Sequence, residues 1–344
     1  MLLAIPFPSW LKPEIIPGLP VRWYGLMYIF AFGTAYLVYR RQIKERNFPM
    51  SDDDLSGMFF WGILSLLVGA RLFSTLIYET SNIYIMQPWL IFWPFRGGKF
   101  TGLQGMSYHG GAFFGLAAVV VWGKIKKFSF REIGDMFAAS IPLGFTFGRL
   151  GNFINAELYG KITTSPLGMI FPHATPYPAT ESWVVEVAQK TGTAITGAYV
   201  NLPRHPSQLY EMIFEGIVLW VIIWFFRNRK PFKGFLIGLY FLGYGVFRFF
   251  IEYFREPDRD LGFPIEIVKT GLPAAYYHHP LNFTTGQILC FIMIAFGIVW
   301  LLIASRLPNK EPVYIYTDDT DKPIVKPESP SDRNRRRKLR KKLK

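Results

Sequence analysis

Residues 148–160 read GRLGNFINAELYG and close an apolar run that begins near Ile133. Arg149, Asn152, Asn155 and Glu157 stand in a row at a place where an apolar run ordinarily continues or ends in a neutral turn. Helical spacing puts Arg149, Asn152 and Asn155 on one face, and Gly148, Gly151 and Gly160 let a second backbone or a ligand approach closely. A helix end with a snorkelling arginine and an asparagine near its C-cap explains the row equally well when it is taken alone. The rest of the chain tips the balance towards a site.

Of the 344 residues, 51% are hydrophobic and 18% aromatic, while only 18% are charged. This composition excludes an ordinary two-domain soluble enzyme and reads as an all-α polytopic membrane protein. Because about 20 apolar residues cross about 30 Å of hydrocarbon, seven transmembrane helices are expected, near residues 21–39, 57–78, 107–123, 133–148, 209–226, 235–253 and 287–304. Basic residues follow the first, third and fifth of these: Arg40, Arg41, Lys44 and Arg46, then Lys124, Lys126, Lys127 and Arg131, then Arg227, Arg229, Lys230 and Lys233. Those loops are expected on the cytoplasmic side, with the N-terminus outside and the C-terminus inside. The long loop 161–204, rich in Thr, Pro and Gly, is expected to form a small extracytoplasmic lobe, so that residues 1–305 make one catalytic domain.

Residues 306–344 carry thirteen Lys and Arg against six acids, +7 of a formal +14, and read as a disordered cytoplasmic tail able to lie against anionic lipid. Five prolines among the first twenty residues argue against a cleaved apolar leader. Cys290 is the sole cysteine and sits in the apolar run ILCFIMIAF, so it reads as a buried structural thiol.

Ionisable groups inside spans are rare enough to be functional candidates. Tyr24, beside Trp23, is explained by an interfacial aromatic belt as well as by a site. Arg71, in GARLF, has no acid near it in sequence and must find a partner elsewhere. His109, in GMSYHGGAFFG, has an uncrowded imidazole between Tyr108 and two glycines. In HPSQLYE, His205 and Pro206 open a span in which Ser207 is a plausible cap and Glu211 and Glu215 stack at i, i+4. In GYGVFRFFIEYFREPD, Tyr244, Arg248 and Glu252 recur every four residues along one face. Arg248 and Glu252 can form a purely structural pair, yet a paired arginine keeps donors that match a phosphate in fork geometry. Two arginines, a histidine and carboxylates expected at one depth fit an anionic lipid headgroup.

The segments WYGLMY, MSYHGG, GRLGNFINAELYG, HPSQLYE, GYGVFRFFIEYFREPD and GQIL, from Trp23 to Leu289, resemble in order and spacing those of bacterial prolipoprotein diacylglyceryl transferases. The extension from Arg306 and the stretch HATPYPATESW depart from that pattern. The resemblance implies a multi-pass enzyme of the bacterial plasma (inner) membrane. Its partners would be phosphatidylglycerol, prolipoprotein signal peptides with a lipobox cysteine, and membrane lipids, with no nucleic acid involved. On the family's pattern Tyr24, His109, Arg149, Asn152, Glu157, Gly160, Arg248 and Glu252 match functional positions, with Tyr244 and His205 as further substrate-binding candidates.

The reaction so implied forms a thioether at a glycerol carbon while a phosphate oxygen leaves. A thiol with pKa about 8.5 is only a few per cent ionised at neutral pH, so a base is needed. His109 is the first choice for it, with Glu157 or Glu252 as alternatives, while Arg149 and Arg248 hold the phosphodiester and Asn152 orients it. No metal or other cofactor is called for, and no cluster with metal-ligand spacing stands in the sequence. A transporter or flippase of an anionic phospholipid would also use outward arginines but should show internal repeats, which are not visible. A purely structural membrane protein would not need so many intramembrane ions.

Overall fold

The computed structural model describes residues 4–16, 21–100, 102–103, 105–257, 262–276 and 279–308, and the backbone of 314–315 and 324–325. The basic tail expected beyond Pro308 otherwise lies outside the described residues. In chain order the elements are β1 (Ile5–Pro6), α1 (Trp23–Arg46), α2 (Asp52–Phe73), α3 (Ile83–Met86), β2 (Phe95–Arg96), β3 (Lys99–Phe100), α4 (Tyr108–Ile125), α5 (Phe130–Ala138) and α6 (Ile141–Ile154). There follow β4 (Met169–Ile170), β5 (Tyr177–Pro178), α7 (Ser182–Thr191), β6 (Tyr199–Val200), α8 (Ser207–Glu211), α9 (Leu219–Phe226), α10 (Phe235–Ile251), α11 (Thr285–Arg306), β7 (Tyr314–Ile315) and β8 (Ile324–Val325).

The described chain is mostly helical, and three of its helical runs are long and apolar enough to cross a membrane: Asp52–Tyr78, Ser207–Phe226 and Thr285–Arg306. Only 17% of the apolar window in α11 is buried, and Leu289, Phe291, Ile292, Phe296, Val299 and Leu302 are exposed along it. A helix that is apolar on all sides yet left uncovered by protein needs a hydrocarbon surround.

Two compact units divide the chain, one of residues Met1–Tyr39 and Arg131–Leu307, the other of Arg40–Phe130 and Pro308–Lys344. In the second unit α2 runs on through the π-helical turn Ser74–Tyr78 and packs along α4. The expectation that Arg71 must find a distant partner is met by backbone: it donates to the carbonyls of Ile91, Gly105 (3.1 Å) and Leu90 (3.5 Å), fastening the segment that follows α2.

In the first unit the expected single span over 133–148 is two helices. Ser140 turns its hydroxyl back to the Met136 carbonyl (2.8 Å), and Pro142, which has no N–H to give, sits in the first turn of α6. Asp135, fully buried on α5, accepts the backbone N–H groups of Gly234 (2.9 Å), Leu236 (2.8 Å) and Ile237 (3.2 Å) and pairs with Lys230, so α5 caps the start of α10. At the other end, α6 meets the π-helical segment Met212–Val218 that joins α8 to α9. A Cβ at Gly216 would collide with the Thr146 hydroxyl, so glycine here sets how close the two backbones come.

Between α6 and α8 the chain forms a small lobe. Its core is Ile162, Val184, Val187, Ala188, Val200 and Leu202, with β5 paired antiparallel to β6, while β4 pairs in parallel with the N-terminal β1. Arg204 is fully buried here and pairs with Glu256 at 2.8 Å. Cys290 is buried, as expected.

Candidate active site

The signature stretch begins as helix and ends as a tight turn. α6 closes at Asn155, whose N–H reaches the Gly151 carbonyl, and Ala156 and Leu158 then adopt left-handed φ of 53° and 54°. Two non-glycine residues in that region cost of order 1 kcal/mol or more each, which a fold tolerates where the resulting geometry is used. The turn folds Glu157 back towards the helix. Its Oε1 accepts Asn152 Nδ2 (2.9 Å) and Asn155 Nδ2 (3.3 Å), and Asn152 Oδ1 in turn accepts Arg149 Nη1 (3.4 Å). Gln208 Nε2 and Ser207 Oγ donate to the carbonyls of Glu157 and Leu158, so the start of α8 pins the turn. Ser207 is therefore not the helix cap expected from its position; Pro206 occupies the N-cap.

Beyond this row lies a cluster built from three helical segments. Glu211 Oε2 lies 2.9 Å from Arg149 Nε and 2.7 Å from Arg248 Nη1, so one buried carboxylate ties α6 to α10. Arg248 Nη1 also lies 3.6 Å from Glu215, and its Nη2 lies 2.6 Å from Glu252 Oε1, which Arg255 Nη1 reaches at 3.2 Å. Both Glu211 and Glu215 are fully buried, and Thr284 at the start of α11 donates to Glu252 Oε2. Breaking one partner of such a buried network typically costs about 3–5 kcal/mol, because the other charge is stranded. Arg149 engages Glu211 and Asn152 through Nε and Nη1, leaving Nη2 outside both contacts, whereas both terminal nitrogens of Arg248 are engaged by carboxylates. The Arg149 guanidinium stacks 4.8 Å over the Phe145 ring.

Tyr24 on α1 packs on Gly151, and its hydroxyl meets Tyr28 (3.0 Å) and the Asn152 amide. Tyr244 stacks on Tyr240 and meets Phe145 edge-on. Tyr24, Arg149, Asn152, Glu157, Tyr244, Arg248 and Glu252 thus gather in the first unit. Gly160 and His205 stand beside the end of α10: a Cβ at Gly160 would collide with the Phe254 carbonyl and come within 2.8 Å of His205 Cβ, so glycine is demanded by protein backbone. His205 Nδ1 meets Tyr210 Oη at 3.3 Å, and burial beside Lys161 pushes its pKa down to about 4, which keeps the ring neutral. His109 belongs to the second unit, at the first turn of α4, exposed and with Nδ1 2.9 Å from the Tyr78 hydroxyl.

In the sequence Glu211 reads only as stacking with Glu215. Its spacing from Arg248 is 37 residues, and no local pattern signals such a contact. Lys161 and Arg204 stand in the sequence only as the ends of the loop 161–204. Among the described residues no group of three His, Cys, Asp or Glu is placed to hold a metal.

The arrangement presents two guanidiniums from different helices, bridged by Glu211, with Arg248 also held by Glu215 and Glu252, and flanked by amide and phenol groups. That is suited to a singly charged phosphodiester. A family model described as prolipoprotein diacylglyceryl transferase matches residues 13–303. A protein of Treponema denticola named phosphatidylglycerol–prolipoprotein diacylglyceryl transferase is 54% identical over 324 residues, covering 88% of this chain and 95% of that one. Proteins of the same name from Treponema pallidum and Chlorobaculum tepidum are 48% and 40% identical, covering 91% and 85% of this chain and 98% and 91% of their own.

Proposed function

The chain belongs to the prolipoprotein diacylglyceryl transferase family, and on that premise we propose that the arginine–carboxylate cluster of its first unit is where the phospholipid is held. The protein is a membrane enzyme that transfers the diacylglyceryl group of phosphatidylglycerol to the lipobox cysteine thiol of a prolipoprotein. A transporter or flippase role is not favoured.

In the proposed mechanism the thiol sulfur bonds to the glycerol carbon as that carbon's bond to the phosphate oxygen breaks, and the departing group is glycerol phosphate. Arg149 and Arg248 grip the phosphodiester and neutralise the charge that grows on it, and Asn152, held by Glu157, orients the headgroup. Tyr24 and Tyr244 line the same site, Glu252 keeps Arg248 in place, and Gly160 and His205 support the end of α10. The observation that carries this reading is Glu211, whose single oxygen meets both arginines and so holds two guanidiniums from different helices beside one another. Incubating purified protein with phosphatidylglycerol labelled in its acyl chains and a lipobox peptide tests it: label should move to the peptide, and it should not move when the cysteine is replaced by serine. A labelled lipid that is translocated but never transferred would return the flippase.

His109 is the proposed base. His109→Gln should lower turnover at neutral pH by roughly a hundredfold while leaving phosphatidylglycerol affinity nearly unchanged. Raising the pH should recover part of the loss as the substrate thiol ionises unaided. A defect confined to lipid affinity would reassign His109 to headgroup binding.

The proposed topology has seven spans in residues 1–305, a lobe over 161–204 outside the bacterial inner membrane and residues 306–344 in the cytoplasm, supported by the alternation of basic loops. A reporter fused after Lys344 should be active only on the cytoplasmic side; activity only on the outer side would invert the topology.

A further inference from the structure

Lys161 is the residue directly after the signature stretch, and it is 3% exposed. Lysines are almost never buried so fully without partners. Its Nζ donates to the carbonyl oxygens of Glu252 (3.3 Å), the C-cap of α10, and of Tyr253 (3.2 Å) in the turn that follows. Its backbone is stitched to the same place: Lys161 N donates to Phe254 O (2.8 Å), Gly160 bridges to Arg255, and Lys161 O accepts His205 N (2.9 Å). The Phe263 ring covers the ammonium at 5.6 Å. A cation at a helix C-terminus is favourable, and more so when water is excluded.

We propose that Lys161 is a positioning residue of this site, whose ammonium grips the carboxyl end of α10 and thereby holds Glu252, and through it Arg248, in line with the phosphodiester. The proposal rests on the function assigned above. Glu252 Oε1 is shared by Arg248 and Arg255 and its Oε2 takes the Thr284 hydroxyl, so a small rotation at the last turn of α10 would change all three contacts. Met or Leu at position 161 would leave the carbonyls of Glu252 and Tyr253 buried without donors, whereas arginine can reach both and keeps its charge.

The groups facing the Lys161 ammonium are Glu252, Glu256 with its partner Arg204, Arg255 and the His205 ring. Burial is the larger influence and the two carboxylates oppose it, and together they bring the lysine down to about 7 from an ordinary 10.5. Burial thus makes the charge of this lysine easier to lose at alkaline pH than that of an ordinary lysine. For stability the sign is opposite. Between about 7 and 10.5 the unfolded chain holds a proton that the folded chain has released, so this residue makes folding more favourable as pH rises. A fall in activity above neutrality then cannot be unfolding driven by Lys161.

The test compares wild type, Lys161→Met and Lys161→Arg in the label-transfer assay between pH 6 and 9, with amide hydrogen exchange measured across residues 251–256. Lys161→Met should fold, exchange at least tenfold faster in that segment and transfer at least tenfold more slowly at pH 6.5, with the loss in turnover. Lys161→Arg should restore both. Relative to Lys161→Arg, the wild type should lose roughly tenfold between pH 7 and 8.5, as a single titrating group requires. The proposal is overturned if Lys161→Met matches wild type in exchange and transfer, if arginine fails to rescue, or if wild type and Lys161→Arg share one pH profile. Absence of transfer in the wild type would instead reject the assigned function, and the exchange measurement would still decide whether Lys161 holds the helix end.

Discussion

Glu211→Gln is expected to leave a folded membrane protein that transfers label at least a hundredfold more slowly than wild type. The carboxylate is fully buried and meets Arg149 Nε and Arg248 Nη1 through the same oxygen. An amide keeps the shape but not the charge, so two guanidiniums on different helices lose the group that offsets their repulsion. Removing one member of a buried charged network costs about 3–5 kcal/mol, and about 2.7 kcal/mol of lost transition-state stabilisation already corresponds to a hundredfold. Kinetics in detergent or nanodiscs, with helical content followed in parallel, separate the two effects. A variant with wild-type helicity and transfer within about threefold of normal would show that the shared carboxylate does not organise the site.

The second large effect is expected from arginine to lysine changes that preserve net charge. Arg149→Lys and Arg248→Lys should each lower kcat/KM roughly ten- to a hundredfold, since a charge-assisted hydrogen bond is worth about 1.5–3 kcal/mol and a lysine offers one compact charge in place of a planar fork. Arg248 should be the more sensitive, because Nη1 and Nη2 are spread over Glu211 and Glu252. The double substitution should cost less than the two single losses combined, because both act on one phosphate. Full additivity would place the two arginines in separate sites.

Much of this was legible from short-range spacing. The three-residue step from Arg149 to Asn152 and the four-residue step from Arg248 to Glu252 are both contacts, as helical geometry requires. Apolar runs marked where helices lie, but the run over 133–148 hid a break, because apolarity does not report that Ser140 bonds back to Met136 or that Pro142 starts a new helix. The partners of Arg71 are backbone carbonyls, which no composition reveals. Glu211 was visible as a carboxylate in a span, yet which arginine it serves is settled by tertiary packing of α6, α8 and α10. Lys161 looks in sequence like any loop lysine, and only the fold buries it under Phe263. His109 belongs to the second unit, where its Nδ1 meets the Tyr78 hydroxyl, a contact between residues 31 apart that no local spacing signals.

The most direct test of the central claim, that Arg248 serves the phosphate and not only Glu252, is label transfer by the double variant Arg248→Gln, Glu252→Gln. Removing both leaves the net charge of the cluster unchanged, but Glu215 loses its contact with Arg248 and Arg255 loses Glu252 while Glu211 keeps Arg149, so helical content is measured in parallel. The double variant should fold and transfer at least a hundredfold more slowly. Near-normal transfer would mean that the pair is only structural, and would contradict the claim.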